Sequence, residues 1–463
     1  LETRKTFQDV MTNYLAGLDA HNLSRESRRQ LGVVLSNRGV ILRDEGHLAQ
    51  AMDVFRNARG LLQTLVDESP QDLESLFELS QVEYWIGQVH MDIGQTREAT
   101  PYFVTYSKIS EKLHSIQPDN AGWTMEAAYA RSNLGALERD SHPSDPLAVI
   151  DHFQAALELN EQAARLDDTY GRELADSHAD LADAWMGVCD IEKATRHRVR
   201  TVDLAASYYR ASPASNRLKL DYSHALSGLS GLQLKSGQFE PAQENLKLSV
   251  ELQRELANED PGNTIRRWNL LRKVGAQADV LDSIGNVNAS WKISLETEAD
   301  MRQFFTENQV NRVEYKVEFA AFLKNYSNRA YRRGENQLGD RLLNESITIF
   351  EQLAVRFPNN RSVLGELVMV YFSYWERHEG TLPSRPIPGW SDWMSEESAL
   401  TTCSDLGAAS RHAVLAGEET KAREYAERLL EKGFYETEFL LYCNRYSLCE
   451  TALNPIQAFP ANP

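Results

Sequence analysis

The sequence predicts an all-α chain built as an array of stacked helix pairs, and three observations predict it. Prolines and glycines recur at one step: Pro70 and Pro118 lie 48 apart, as do Pro213 and Pro261, Gly46 and Gly94, and Gly237 and Gly285. Small residues keep the same phase, with Gly39, Gly87, Gly135, Ala182, Ser230, Ala278 and Ser327 at steps of 47 to 49. Apolar residues between these marks fall at helical spacing, with no strand-like alternation and no Asn-Gly or Asp-Gly hairpin signal.

Each unit reads as two helices. In the first, Leu31, Val34, Leu35, Ile41 and Leu42 share a face of a helix over 31–45. Gly46 permits a tight turn. Ala51, Phe55, Ala58, Leu62 and Leu65 form the stripe of a second helix, and Pro70 stops it. The pattern returns over 73–116 around Gly94, and over 218–257 around Gly237. The third unit departs from it, since its turn, 140–146, is long and lacks glycine. In the sixth, Ser290 stands where Ala is usual, followed by Trp291. The largest break is 380–396, rich in proline and carrying Trp390 and Trp393. This stretch reads as a loop, its tryptophans either anchoring it on the array or forming a lid.

The ends read as caps. Phe7, Val10, Met11, Tyr14, Leu15 and Leu18 make 1–30 an N-terminal capping helix, and 434–450 a C-terminal one. Residues 451–463 read as a flexible tail. Between the caps, 31–433 hold about eight to nine units.

These residues resemble the tetratricopeptide repeat. Gly39, Leu42, Gly46, Ala51, Phe55 and Ala58 match its pattern in the first unit, and Gly87, Gly94, Ala99 and Phe103 in the second. The fifth gives Ser230, Gly237 and Ala242, and Gly417, Ala422 and Ala426 restore the phase near the end. The common repeat has about 34 residues, so each helix here gains about two turns. The resemblance implies a right-handed α-solenoid with first helices lining a concave face. The phrase 254–263 further resembles long-repeat arrays of bacterial signalling proteins. That likeness implies the regulatory region of a larger bacterial protein, acting as an interaction scaffold or sensor array. The alternatives are a small-ligand or peptide sensor switching an upstream domain, or an enzyme with its site near the Pro/Trp loop.

Composition narrows the classes. With 49 Lys and Arg against 67 Asp and Glu, the formal net charge is −18, which disfavours non-specific nucleic-acid binding. No run approaches the roughly 20 apolar residues of a membrane span. The chain opens on Leu1 without a signal peptide, which reads as a fragment or processed product. The expected compartment is the cytoplasm, or the periplasm if an anchor lies upstream. Cys189, Cys403, Cys443 and Cys449 are too few for a disulfide scaffold. Cys443 and Cys449 read as residues of one helix, too far apart along it to bridge. Four semi-buried thiols are expected.

Phosphate-loop, dinucleotide, zinc-protease and nucleophile-elbow motifs do not occur, so no enzyme, cofactor or metal is expected. The expected partner is a protein or peptide in the concave groove. Counting three before, one after and four after each small residue places Asp183, Asp279, Asp282, Lys324, Asn328 and Tyr331 on that face. The row runs from acidic to basic, predicting one orientation for a bound segment between the fifth and eighth units. Lys324 and Asn328 resemble half of the carboxylate clamp of chaperone-binding repeats, but the next first helix, 363–375, is apolar and lacks Asn, so the clamp is incomplete and the two read as an ordinary solvated pair.

Overall fold

The computed structural model describes residues 23–93, 95–140, 146–308, 312–357, 360–378, 380–381 and 402–449. The expected N-terminal cap over 7–18, the tryptophans of the Pro/Trp loop and the C-terminal tail lie outside the described residues. Among the described residues there are eighteen α-helices and no strand. They fall into two compact units, 1–180 and 181–463.

The first unit carries the pairs α1 (Arg25–Asp44) and α2 (Leu48–Glu68), α3 (Leu73–Asp92) and α4 (Thr96–Ile116), and α5 (Ala121–Asp140) and α6 (Pro146–Leu166). A 3-10 turn (Asp168–Arg172) leads into α7 (Glu173–Gly187). Each first helix packs on its own second helix, and α2 and α4 pack on the next first helix. Phe55, Phe103 and Phe153 are buried, and each ring lies against the small residue of its partner helix. A Cβ on Gly39 would stand 2.5 Å from the Phe55 ring, so the helices meet at a distance that only glycine allows.

The second unit begins within α7 and continues with α8 (Ile191–Ala211), α9 (Asn216–Lys235), α10 (Phe239–Glu259), α11 (Thr264–Ser283) and α12 (Val287–Asn308). Then come α13 (Val313–Arg332), α14 (Asn336–Arg356), α15 (Arg361–Arg377), α16 (Cys403–Leu415), α17 (Glu419–Glu431) and α18 (Thr437–Arg445). Here hydroxyls replace the glycine seam. Ser230 Oγ donates to the Ala242 carbonyl and Ser410 Oγ to that of Ala422, both at 2.8 Å. Ser290 has the same contact with the helices exchanged, donating to the Ala278 carbonyl at 2.8 Å. Its departure from the pattern is therefore a swap of roles across one seam.

Two disulfides overturn the reading of four free thiols. Cys443 and Cys449 are joined, their Cα atoms 5.3 Å apart. The helix that was to hold them apart ends at Arg445, and Ser447 at φ 52° folds the chain back. Cys189 and Cys403, 214 positions apart in sequence, form the second bridge with Cα atoms 4.9 Å apart. Cys189 occupies the place of the turn glycine. Gly46, Gly237, Gly285 and Gly334 adopt φ of 73–82° there, and Cys189 adopts 57°. The turn bonds are alike, with Asp190 N donating to the Trp185 carbonyl as Gln238 N does to that of Gln233. A side chain in this conformation costs about 1–2 kcal/mol, which the covalent link offsets.

Lys273 is a buried cation at a core position, in phase with Val82, Ala130, Ala225 and Phe322. Its Nζ lies 2.6 Å from Ser223 Oγ, 3.0 Å from the Ser223 carbonyl and 3.0 Å from Ser249 Oγ, tying α9, α10 and α11 together. Burial, and then the charge of Arg272, push its ammonium down to about 7 from 10.5. The unfolded chain therefore binds more protons between about pH 7 and pH 10, and the second unit gains stability as pH rises through that window. We expect urea unfolding to show a gain of about 2 kcal/mol between pH 7 and 9 that Lys273→Met lacks. Identical pH slopes for the two proteins would show that Lys273 stays charged in the fold.

Candidate binding site

The predicted row resolves into one cluster and two outliers. Asp279 and Asp282 project from the C-terminal half of α11, and Lys324 and Asn328 from α13. On each helix, residues three and four apart share a face. Asp183 pairs with Arg198 of α8. Tyr331 turns toward α14, donating to Asp340 Oδ1 at 2.7 Å beneath the Arg377 guanidinium. Trp390 and Trp393 lie outside the described residues.

The acidic half of the row is neutralised from within. Arg329 pairs with Asp279 and stands 3.7 Å from Asp282, and Arg332 pairs with Asp282. Asn325 Nδ2 adds a bond to Asp279 at 3.2 Å. Burial raises the Asp279 carboxyl, and Arg329 only partly opposes the rise. The expected charge gradient is thus an internal ion-pair network. Arg329 is 3% exposed at a position that is Ile41, Val89, Leu137, Leu232 and Val280 in other repeats. A charge at an apolar phase of the repeat was the signal that the sequence reading missed, and it singles out Lys273 and Arg329 alike.

The basic half meets a carboxylate from the chain itself. Asn328 Nδ2 donates to Glu438 Oε1 of α18 at 3.3 Å. Burial raises the Glu438 carboxyl, yet Lys324, Arg332 and Arg329 with the Asn328 bond outweigh it and hold it below the ordinary range. Lys324 is also desolvated, but Glu366, Glu438 and Glu436 keep its ammonium above the ordinary value. Its Nζ lies 3.4 Å from Glu366 on α15.

The segment carrying Glu438 touches much of the second unit. Lys432 Nζ donates to the Val188 carbonyl at 3.0 Å, and Tyr435 N to that of Lys235 at 2.6 Å. Arg445 pairs with Glu376 at 2.7 Å. Phe439, Leu440 and Tyr442 are buried in a core shared with α15–α17 and with Cys189 and Ile191. The C-terminal segment therefore does more than cover the last repeat: its anchors reach the turn after α7, the last residue of α9, and helices α13 and α15. Among the described residues no group of three or more His, Cys, Asp or Glu is placed to hold a metal ion, and no helix is long and apolar enough to cross a membrane.

No family model and no curated sequence matches the chain significantly. Solved structures do. Apo RapI is similar over 87% of this chain and 97% of its own, at 8% identity and a TM-score of 0.52. A Rap protein complexed with Competence and Sporulation Factor matches over 89% and 99%, at 12% identity and a TM-score of 0.49. The apo quorum sensor NprR from B. thuringiensis matches over 88% and 97%, at 11% identity and a TM-score of 0.46. At such identities the likeness is one of fold. With the helix-pair packing, the repeated turns and the seam of small residues, it makes this chain a tetratricopeptide-like α-solenoid whose repeats recur at steps of 47 to 49 residues.

Proposed function

We propose that the chain is a protein-interaction scaffold, the regulatory region of a larger bacterial signalling protein, and that α13 recognises an acidic helical segment. One observation carries this reading: a helix-borne carboxylate, Glu438, accepts a hydrogen bond from Asn328 and is stabilised by the charges of Lys324, Arg332 and Arg329. A carboxylate in such a place supplies charge and direction, and apolar residues on the same helix face supply most of the affinity.

The reading is tested with the full chain carrying Cys189→Ser, Cys403→Ser and Glu438→Lys, whose own last helix is neither tied by the disulfide nor suited to the basic cluster. A labelled peptide spanning 433–448, with Cys443→Ser, is titrated against it. The peptide should bind, and a matching peptide with glutamine at 438 should bind about tenfold more weakly. Raising salt should weaken the first peptide more than the second. Equal affinity for the two peptides would remove carboxylate recognition from the proposal.

A further inference from the structure

We propose that residues 402–449 are an intramolecular ligand of the second unit, that the Cys189–Cys403 disulfide is the latch holding them there, and that reducing it frees the face for an acidic amphipathic helix of a partner. This rests on the binding reading above and adds its regulation.

Three independent features point to a latch. The disulfide joins the turn after α7 to the first residue of α16, the helix that begins the C-terminal module. Its turn-side cysteine stands in a left-handed conformation that the equivalent turns give to glycine, so the backbone there is strained to place a sulfur. The module then sets Glu438 on the cluster that would take a partner's carboxylate, with Lys432 and Tyr435 fastening its near end to Val188 and Lys235. While the module is docked, an incoming helix has no access to Asn328. Its apparent affinity is divided by the undocked fraction, which a covalent tie keeps small.

The release step balances as thiol–disulfide exchange with a dithiol reductant. One reductant thiolate attacks a sulfur of the pair, forming a mixed disulfide and freeing one cysteine as a thiolate. The second reductant thiol displaces the other cysteine. Two protonated cysteines and an oxidised reductant result. Cys189 is 0% and Cys403 6% exposed, so exchange proceeds through opening of the turn and is slow in the docked state.

The test is anisotropy with the labelled 433–448 peptide (Cys443→Ser) against full-length protein. Four samples are compared: oxidised wild type, wild type reduced with dithiothreitol, the Cys189→Ser/Cys403→Ser variant, and the Cys189→Ser/Cys403→Ser/Glu438→Lys variant. The reduced protein and the double-serine variant should bind about tenfold or more tightly than the oxidised wild type. The double-serine variant retains Cys443–Cys449, so the gain belongs to the first pair. Hydrogen exchange should rise across 402–449 on reduction while α9–α14 remain protected, which separates release from unfolding. Equal affinity of oxidised and reduced wild type, with binding to the Cys189→Ser/Cys403→Ser/Glu438→Lys variant intact, overturns the latch and leaves the binding reading standing. Absence of binding to that triple variant overturns both.

Discussion

Phe55→Ala will cost the first unit about 3–5 kcal/mol, because the ring fills a space that nothing else can close. Phe55 is fully buried, abuts Gly39 within its own repeat, and stacks on Trp85 of the next at a centroid distance of 6.4 Å. Its loss therefore opens a cavity at the seam of two repeats. Urea unfolding followed by far-UV circular dichroism is the measurement, with Ile116→Ala, at a site 46% exposed, as the near-neutral control. A second comparison tests the geometry itself. Gly39→Ala should destabilise the wild type, since its methyl would meet the ring, and be tolerated in the Phe55→Ala background. An additive double variant would show that the helices separate freely and that Phe55 is no plug.

Arg329→Leu will destabilise the second unit by about 3–5 kcal/mol at neutral pH, although leucine restores the apolar phase of the repeat. The cost comes from what is left behind. Asp279 and Asp282 lose their shared partner, while burial still disfavours the charged form of Asp279. Asp279 already has a folded-state pKa above its ordinary value, and removing Arg329 raises it further. Stability from such a group is greatest below the unfolded pKa and is lost as pH rises through the folded one. The defect should therefore be largest near pH 7 and smallest near pH 4, and Arg329→Leu/Asp279→Leu should recover much of it. Urea midpoints at the two pH values decide this. A defect independent of pH, unrelieved in the double variant, would place the role of Arg329 in packing alone.

Most of the architecture was legible because a repeat states its own rule several times. Ala, Phe and Ala at one-turn spacing, a small residue opposite and a glycine at the turn each follow from close helix approach or a left-handed backbone. Chemistry of that kind is local, so the helix pairs, the turns and the burial of Phe55, Phe103 and Phe153 could be read without coordinates. Less of the site was legible: Lys324 and Asn328 were read as a solvated pair on one helix face, whereas Glu438 of the chain's own last helix accepts from Asn328. The same register, scanned for polar residues at apolar phases, would have shown Lys273, Arg329 and the non-glycine turn at Cys189.

The sequence by itself determined the class of fold, the length and phase of its repeat and the face each helix buries, because those depend on spacings of a few residues. The tertiary structure alone decided that Cys189 meets Cys403, that Asp279 is neutralised from 50 positions away, and that Glu438 fills the cluster 110 positions before it. The physical reason is that stacking brings together residues one or several repeats apart according to the curvature accumulated over the units between them. No local spacing encodes where the last helix of such a stack comes to rest.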